Sequence, residues 1–352
     1  SIDRHVAVKV LAAMVAEDPG FRARLLREAS AAERVRHPNV VRVHEVGTTE
    51  GGATYIVMHH VAGPSIARLI ERDGALSPRL VVRMLGQVAG ALDAVHRAGL
   101  LHLDVKPGNI LWDPESETAY LADFGLAAAV RDAPGRAVPG FTPGYAAPEQ
   151  LFGGDLSGAS DVYALACTAF HCLTGHPPFP GDGARVRAAQ PTGVAPALRE
   201  DGDLPAGLLD ALERALAPNP TDRFSRATEF AAAVRAARWD VVFLVPEATP
   251  HVTELVDGLR REGFDVIVAD PADERRLGTL LPSARTVAVC VDAAVRDDGP
   301  VARVVEAALT SDPGLRVLAV LTGGAPPPNH PALGPMAGFG WFDVRAEGPR
   351  DV

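Results

Sequence analysis

The sequence predicts two domains of different class: an α+β bilobal unit over residues 1–238, its small β-rich lobe incomplete at the start, and an α/β parallel-sheet unit over 239–352. Three observations carry this expectation. A chain of 352 residues has room for two cores, at about 150 residues per domain. Strand-like alternation near the start gives way at Leu76 to sustained helical periodicity. At Trp239 the pattern changes again, to short apolar strands alternating with amphipathic helices, the rhythm of a parallel sheet covered on both faces.

His5–Leu11 alternates as a strand does. Glu17–Val35, rich in Ala, Leu, Arg and Glu, reads as a helix ended by the turn His37-Pro38-Asn39. Val40–Val46 and Thr54–Val61 are β-branched apolar runs separated by Gly51-Gly52, a hairpin signal. Helical spacing then dominates over Pro78–Ala98, Gly158–Thr174, Ala206–Ala217 and Arg226–Ala237. In the second domain, strands are expected at Val241–Val245, Val266–Ala269, Val287–Val291 and Val317–Leu321. Helices are expected at Thr253–Arg261, Arg275–Leu281 and Val301–Leu309, and Pro326-Pro327-Pro328 marks a loop. The linker between Ala237 and Trp239 is very short.

Composition removes several functional classes. A formal net charge of −10 argues against a protein that binds the nucleic-acid backbone through clustered Lys and Arg. The three cysteines, Cys167, Cys172 and Cys290, show no CxxC spacing, so they read as small buried apolar groups in a reducing cytosol. No apolar stretch approaches the roughly 20 residues that span a bilayer, and no signal-peptide pattern opens the chain, so the location expected is cytoplasmic.

The chemistry is concentrated in a few short segments. Lys9 ends the strand-like Val6-Ala7-Val8-Lys9, and Glu28 on the following helix is a natural ion-pair partner. His102-Leu103-Asp104-Val105-Lys106-Pro107-Gly108-Asn109 sets a carboxylate, an ammonium and an amide within six residues, and Asp123-Phe124-Gly125 follows the strand-like Ala119–Ala122. Ala147-Pro148-Glu149, Ser160-Asp161-Val162-Tyr163-Ala164-Leu165 and Arg223 come later in the same order. Over residues 5–238 this ordered set resembles the protein kinase family, and Leu101–Leu111 is similar to its catalytic loop almost residue for residue.

The resemblance implies the bilobal protein-kinase fold and ATP- and Mg²⁺-dependent phosphoryl transfer to a protein Ser or Thr. It assigns Asp104 and Lys106 to catalysis, and Asn109 and Asp123 to the metal. Lys9, Glu28, Met58, His59 and Val61 fall to ATP, with Met58 behind the adenine and His59 to Val61 as the hinge. His102, Phe124, Gly125, Thr142, Glu149, Asp161 and Arg223 would hold the frame, Asp161 by bracing the catalytic-loop backbone and Arg223 by pairing with Glu149. His37-Pro38-Asn39-Val40-Val41, Gly175-His176-Pro177-Pro178-Phe179 and Lys106 itself look like the bacterial serine/threonine type.

Three features depart from the family pattern. A glycine-rich loop over the ATP phosphates is expected just before the Lys9 strand, and Ser1 lies too close to that strand to include one, so the piece in hand is expected to be truncated and to bind ATP poorly. Leu103 stands where most regulated kinases carry Arg, and Phe141 where a glycine is usual before Thr142.

In the second domain, Asp240–Val245 with Gly263-Phe264-Asp265-Val266, and the closing Gly340-Trp341-Phe342-Asp343-Val344-Arg345, resemble a degenerate TIR domain of flavodoxin-like fold. Catalytic TIR domains cleave NAD with a helix glutamate. Glu306 is the candidate, but Val304 aligns with the catalytic position, and two residues along a helix is a rotation of about 200°. An interaction module is therefore expected, with TIR–TIR or other protein partners through 239–352 and none of nucleic acid or membrane. The alternatives are a pseudokinase scaffold and a kinase-regulated TIR NAD hydrolase.

Overall fold

Three short strands, β1 (Val6–Val10), β2 (Val43–Thr48) and β3 (Thr54–His59), form an antiparallel sheet in the order β1-β3-β2. The computed structural model describes residues 5–10, 35–49, 53–123, 142–179, 204–245, 250–273, 276–277, 280–281, 284–291, 315–321 and 340–343. On β1 the alternation leaves Val6, Val8 and Val10 exposed and turns Ala7 and Lys9 to the other, half-buried face.

The apolar run Val40–Val46 does not make one strand, as the sequence alone suggests. Val40 and Val41 pair elsewhere: Val41 N–H donates to the Leu121 carbonyl at 2.9 Å, and Leu121 N–H to that of Asn39 at 2.8 Å. Only from Val43 does the chain join β3, through an irregularity between Val43 and Glu45. β3 itself stops at His59, short of Val61, whose carbonyl accepts Gly63 N–H at 3.0 Å in a turn. A Cβ at Gly63 would lie 2.0 Å from the Trp112 carbonyl oxygen, so this turn needs glycine.

The larger lobe is helical. α1 (Ile66–Asp73) is capped by Ser65, whose Oγ accepts Arg68 N–H at 3.4 Å. α2 (Pro78–Arg97) buries Val81, Met84, Leu85, Val88, Leu92 and Val95, a helical stripe. A hairpin of β4 (Ile110–Asp113) and β5 (Thr118–Leu121) follows a 3₁₀ turn at Pro107–Asn109. Then come α3 (Pro148–Phe152), α4 (Gly158–Thr174), α5 (Ala206–Ala215) and α6 (Ala227–Ala236). Every residue of α4 from Ser160 to Phe170 is buried, which makes it the pillar of the lobe. It ends at Gly175, whose φ of 80° lets its N–H reach the His171 carbonyl. α4 has the bounds expected from the sequence, α2, α5 and α6 end within two residues of expectation, as fraying ends do, and α1 and α3 were not foreseen.

The chain forms two compact units, one ending at Arg235 and the other running from Ala236 onward and taking in the short stretches Ser77–Arg79 and Gly202–Leu208. In the second, β6 (Trp239–Leu244), β7 (Val266–Ala269), β8 (Ala284–Val291), β9 (Arg316–Leu321) and β10 (Gly340–Asp343) pair in parallel in the order β10-β9-β8-β6-β7. This is the 2-1-3-4-5 order of a doubly wound sheet. Alternate residues pack into two clusters: Val242, Leu244, Val287 and Val289 in one, Phe243, Ala288 and Cys290 in the other, where Val252 and Val256 of α7 (Pro250–Arg261) join them. With both faces buried, the strands read as nearly continuous apolar runs. β6 and β8 begin two and three residues earlier than expected because Trp239 pairs with Ala284. Of the expected helix Arg275–Leu281 only Arg276, Leu277, Leu280 and Leu281 are among the described residues, and Val301–Leu309, with Glu306, lies outside them. Among the described residues no helix is long and apolar enough to cross a membrane. All three cysteines are buried, and none is in a disulfide.

Candidate active site

Between α2 and the 3₁₀ turn the chain has no regular hydrogen bonding of its own, and Leu103 takes a left-handed conformation with φ 63°. That costs a residue with a side chain about 1–2 kcal/mol. The carboxylate of Asp161, wholly buried in the first turn of α4, supplies the restraint. Its Oδ2 accepts His102 N–H at 2.9 Å and its Oδ1 accepts Leu103 N–H at 2.7 Å, both charge-assisted. His96, from the last turn of α2, places Nε2 at 2.7 Å from the same Oδ2. Burial alone would push the Asp161 carboxyl up; the hydrogen bonds from His96 and from the His102 N–H outweigh it and hold the group below the usual carboxylate range. Gly158 makes room for this contact, since a Cβ there would fall 2.8 Å from His96 Nδ1.

His102 is buried, and desolvation pulls its pKa below the ordinary value, so the ring is neutral. The network sets its tautomer: Nε2–H donates to the Ala122 carbonyl at 3.0 Å, and Nδ1 accepts Asp104 N–H at 3.2 Å. One ring thereby ties the residue before Asp123 to Asp104.

Asp104 is the centre of the polar cluster. Asn109 Nδ2 donates to its Oδ2 at 2.9 Å and to its backbone carbonyl at 2.8 Å. Thr142 N–H and Oγ1–H both reach Oδ1 at 3.3 Å. Lys106 Nζ lies 2.7 Å from Asp104 Oδ2 and donates to Thr142 Oγ1 at 2.7 Å. A carboxylate oriented from both sides beside an ammonium can accept a proton while the ammonium offsets new negative charge.

Lys9 and Asp123 meet across the two lobes, with Nζ donating to Oδ2 at 2.8 Å. Asp123 has φ 62°, a second left-handed residue at the site. Glu28, expected beside Lys9, and Phe124 and Gly125 lie outside the described residues, as does Phe141. Met58 packs with Val41, Val61, Ala122, Leu111 and Tyr120 in an apolar cluster, and the His59 ring lies 6.3 Å from that of Tyr120.

Behind the site, Arg223 and Glu149 form a bidentate pair, with Nη1 to Oε1 at 2.8 Å and Nη2 to Oε2 at 2.9 Å. The guanidinium also donates to the carbonyls of Ala159, Ala217 and Pro218, while Ser160 Oγ–H donates to Glu149 Oε1 at 2.6 Å. Every visible valence is used, which is what a buried pair requires. Gln150 links this corner to the loop: its Oε1 accepts Ala147 N–H at 3.0 Å and its Nε2 donates to the Leu103 carbonyl at 2.9 Å.

The structure thus brings together Asp104, Lys106, Asn109, Thr142 and His102, and separately Lys9 with Asp123, Asp161 with the loop backbone, and Glu149 with Arg223. Sequence reasoning missed His96, Gln150, Ser160 and His171. For His96 a signal existed in the small Gly158 one turn from Asp161, and Ser160 stands beside Asp161 in a segment already singled out, though without a role; Gln150 and His171 belong to no motif.

Residues 1–238 match the family model described as protein kinase domain. The serine/threonine-protein kinase PknE of Mycobacterium tuberculosis is 37% identical over 245 residues, covering 67% of this chain and 42% of that protein. PknD of the same species is 36% identical over 276 residues, covering 77% of this chain and 40% of that one. The chain therefore spans less than half the length of these curated relatives. Among solved structures, the Mycobacterium tuberculosis PknI kinase domain is similar, with a TM-score of 0.52 and 36% identity over 65% of this chain and 84% of that one.

Proposed function

This chain belongs to the protein kinase family, with a domain of the bacterial serine/threonine type, and we propose that it transfers the γ-phosphoryl group of ATP to Ser or Thr hydroxyls of proteins in bacterial signalling, in the cytoplasm. The observation that carries this reading is the single cluster in which Asp104 is gripped by Asn109 and Thr142 with Lys106 against it. The acceptor hydroxyl attacks the γ-phosphorus, ADP departs, and Asp104 takes the hydroxyl proton. Lys106 offsets charge on the phosphoryl oxygens in flight, and Lys9, released from Asp123, binds the α/β-phosphates. Adenine would lie against the apolar cluster of Met58, Val61 and Leu111, with the backbone from His59 to Val61 as its hinge, and Glu28 is proposed to steady Lys9.

The residues present fit Mg²⁺. Asn109 commits its N–H groups to Asp104, which leaves its amide oxygen as a ligand atom, and Asp123 adds a partly exposed carboxylate. A hard cation prefers such oxygens. When bound, Mg²⁺ supplies neutralisation of the phosphate charge.

For the second domain the proposal is a TIR-like module over 239–352 that chooses protein partners. The parallel 2-1-3-4-5 strand order and the Trp341-bearing last strand support it. The kinase proposal is tested by phosphoamino-acid analysis of a generic protein substrate after incubation with labelled ATP. Label in phosphoserine and phosphothreonine that a chelator of Mg²⁺ abolishes is expected; label confined to phosphotyrosine would refute it.

A further inference from the structure

The loop that begins at Thr142 is tied down at two levels. Its own backbone supplies two bonds, with Tyr145 N–H and Ala146 N–H donating to the Thr142 carbonyl at 3.0 and 3.2 Å. The side chain of Tyr145 then reaches into the lobe, where its Oη lies 2.5 Å from Nδ1 of His171 on α4, with the two rings stacked at 6.0 Å and 25°. No motif pointed to His171, and the reaction proposed above makes no direct use of it.

We propose that His171 is a positioning residue for the protein substrate: its neutral Nδ1 accepts the Tyr145 hydroxyl proton and so fixes the loop from Thr142 to Ala146 against which the acceptor segment must lie. The inference rests on the kinase reading for its substrate, but its geometry stands apart from it. Several features favour a neutral ring. Desolvation, and then the nearby His176, pull the His171 pKa below its ordinary value. Burial also pushes the Tyr145 phenol up, so that it keeps its proton to donate. Among the described residues, the titratable groups acting on the pair are His176 beyond the helix end, and Cys167 and Cys172 on α4, all without a carboxylate. A protonated His171 would present N–H at Nδ1 to an oxygen that is itself a donor. The bond would reverse and leave the phenolic proton without its acceptor, loosening the anchor.

The sign of the pH effect follows. Because the lowered pKa puts protonation below about 6.5, loop order and substrate KM should be constant above that value and worsen as the pH falls further. The test compares wild type with Tyr145→Phe, His171→Leu and His171→Asn, whose amide oxygen can stand where Nδ1 does without titrating. Tyr145→Phe and His171→Leu are expected to raise KM for the protein substrate about tenfold while kcat and the KM for ATP change less than twofold. His171→Asn should keep the wild-type KM at pH 7.5 and lose its rise toward pH 5.5. Amide hydrogen exchange of Tyr145 and Ala146, which needs no activity, should quicken in Tyr145→Phe and His171→Leu and remain slow in His171→Asn. Unchanged exchange in Tyr145→Phe, or the same acid rise of KM in His171→Asn, would overturn the proposal. A wild-type protein that transfers no phosphate would instead count against the kinase reading, and the exchange result would still decide the role of His171.

Discussion

Asp161 holds Leu103: its Oδ1 accepts the Leu103 N–H at 2.7 Å while that residue sits at φ 63°, so a buried carboxylate on α4 maintains a left-handed turn one residue before Asp104. Replacing it by Asn leaves one acceptor oxygen for three donors and turns an N–H₂ group toward the others. Asp161→Asn should therefore lose about 2–3 kcal/mol of stability in urea unfolding, with phosphoryl transfer falling as well. An unchanged unfolding midpoint would contradict the bracing role.

The Glu149–Arg223 pair makes a second claim on stability. Arg223 is wholly buried, so Glu149→Gln leaves a charge without a counter-ion and should cost about 3–5 kcal/mol at pH 7. Burial pushes Glu149 up, but Arg223 and Ser160 together hold it below the ordinary value. Its contribution is thus complete above about pH 4.3 and is lost as the pH falls through the lower folded value. The stability gap between wild type and variant should narrow only in that acid window. A gap that persists unchanged to pH 2 would show that charge is not its source.

How much of this was legible in sequence depends on distance along the chain. Asp104, Lys106 and Asn109 lie within six residues, so one local motif names all three. The partners that fix them come from far away, and the pairings His96 with Asp161, Gln150 with Leu103 and Tyr145 with His171 leave no periodic or spacing signal. Strand limits failed for a related reason. Val40 and Val41 have the β-branched character of Val43 and Val46, yet pair with Leu121, a choice made by tertiary contact rather than propensity. Of the hairpin of β4 and β5 only the second strand was read, as Ala119–Ala122, because each strand has only four residues. The parallel sheet of the second unit was readable because strands buried on both faces stand out as apolar runs.

Leu103 also bears on regulation. Its side chain is buried, and it offers no guanidinium to receive an activation-loop phosphate. Between Asp123 and Ala147 the only hydroxyls are Thr142 and Tyr145, both already engaged with Asp104 and His171. Phosphatase treatment of the active kinase should change its rate less than twofold. A drop of about tenfold, equal to about 1.4 kcal/mol in the barrier, restored by ATP, would contradict this.

No robust NAD cleavage is expected from residues 239–352, since on the proposed TIR resemblance Val304, not Glu306, would fall at the catalytic position. Nicotinamide release is the measurement. Turnover that Glu306→Ala abolishes would make the second domain an enzyme.

Phosphoryl transfer by Asp104→Asn against wild type tests the central claim most directly. The amide keeps the shape and one acceptor oxygen, enough for Thr142 or for Asn109 but not for both, and it cannot take up the acceptor proton, so incorporation from labelled ATP should fall at least about a hundredfold. Equal incorporation by the two proteins would contradict the assignment of Asp104 and, with it, the account of this site.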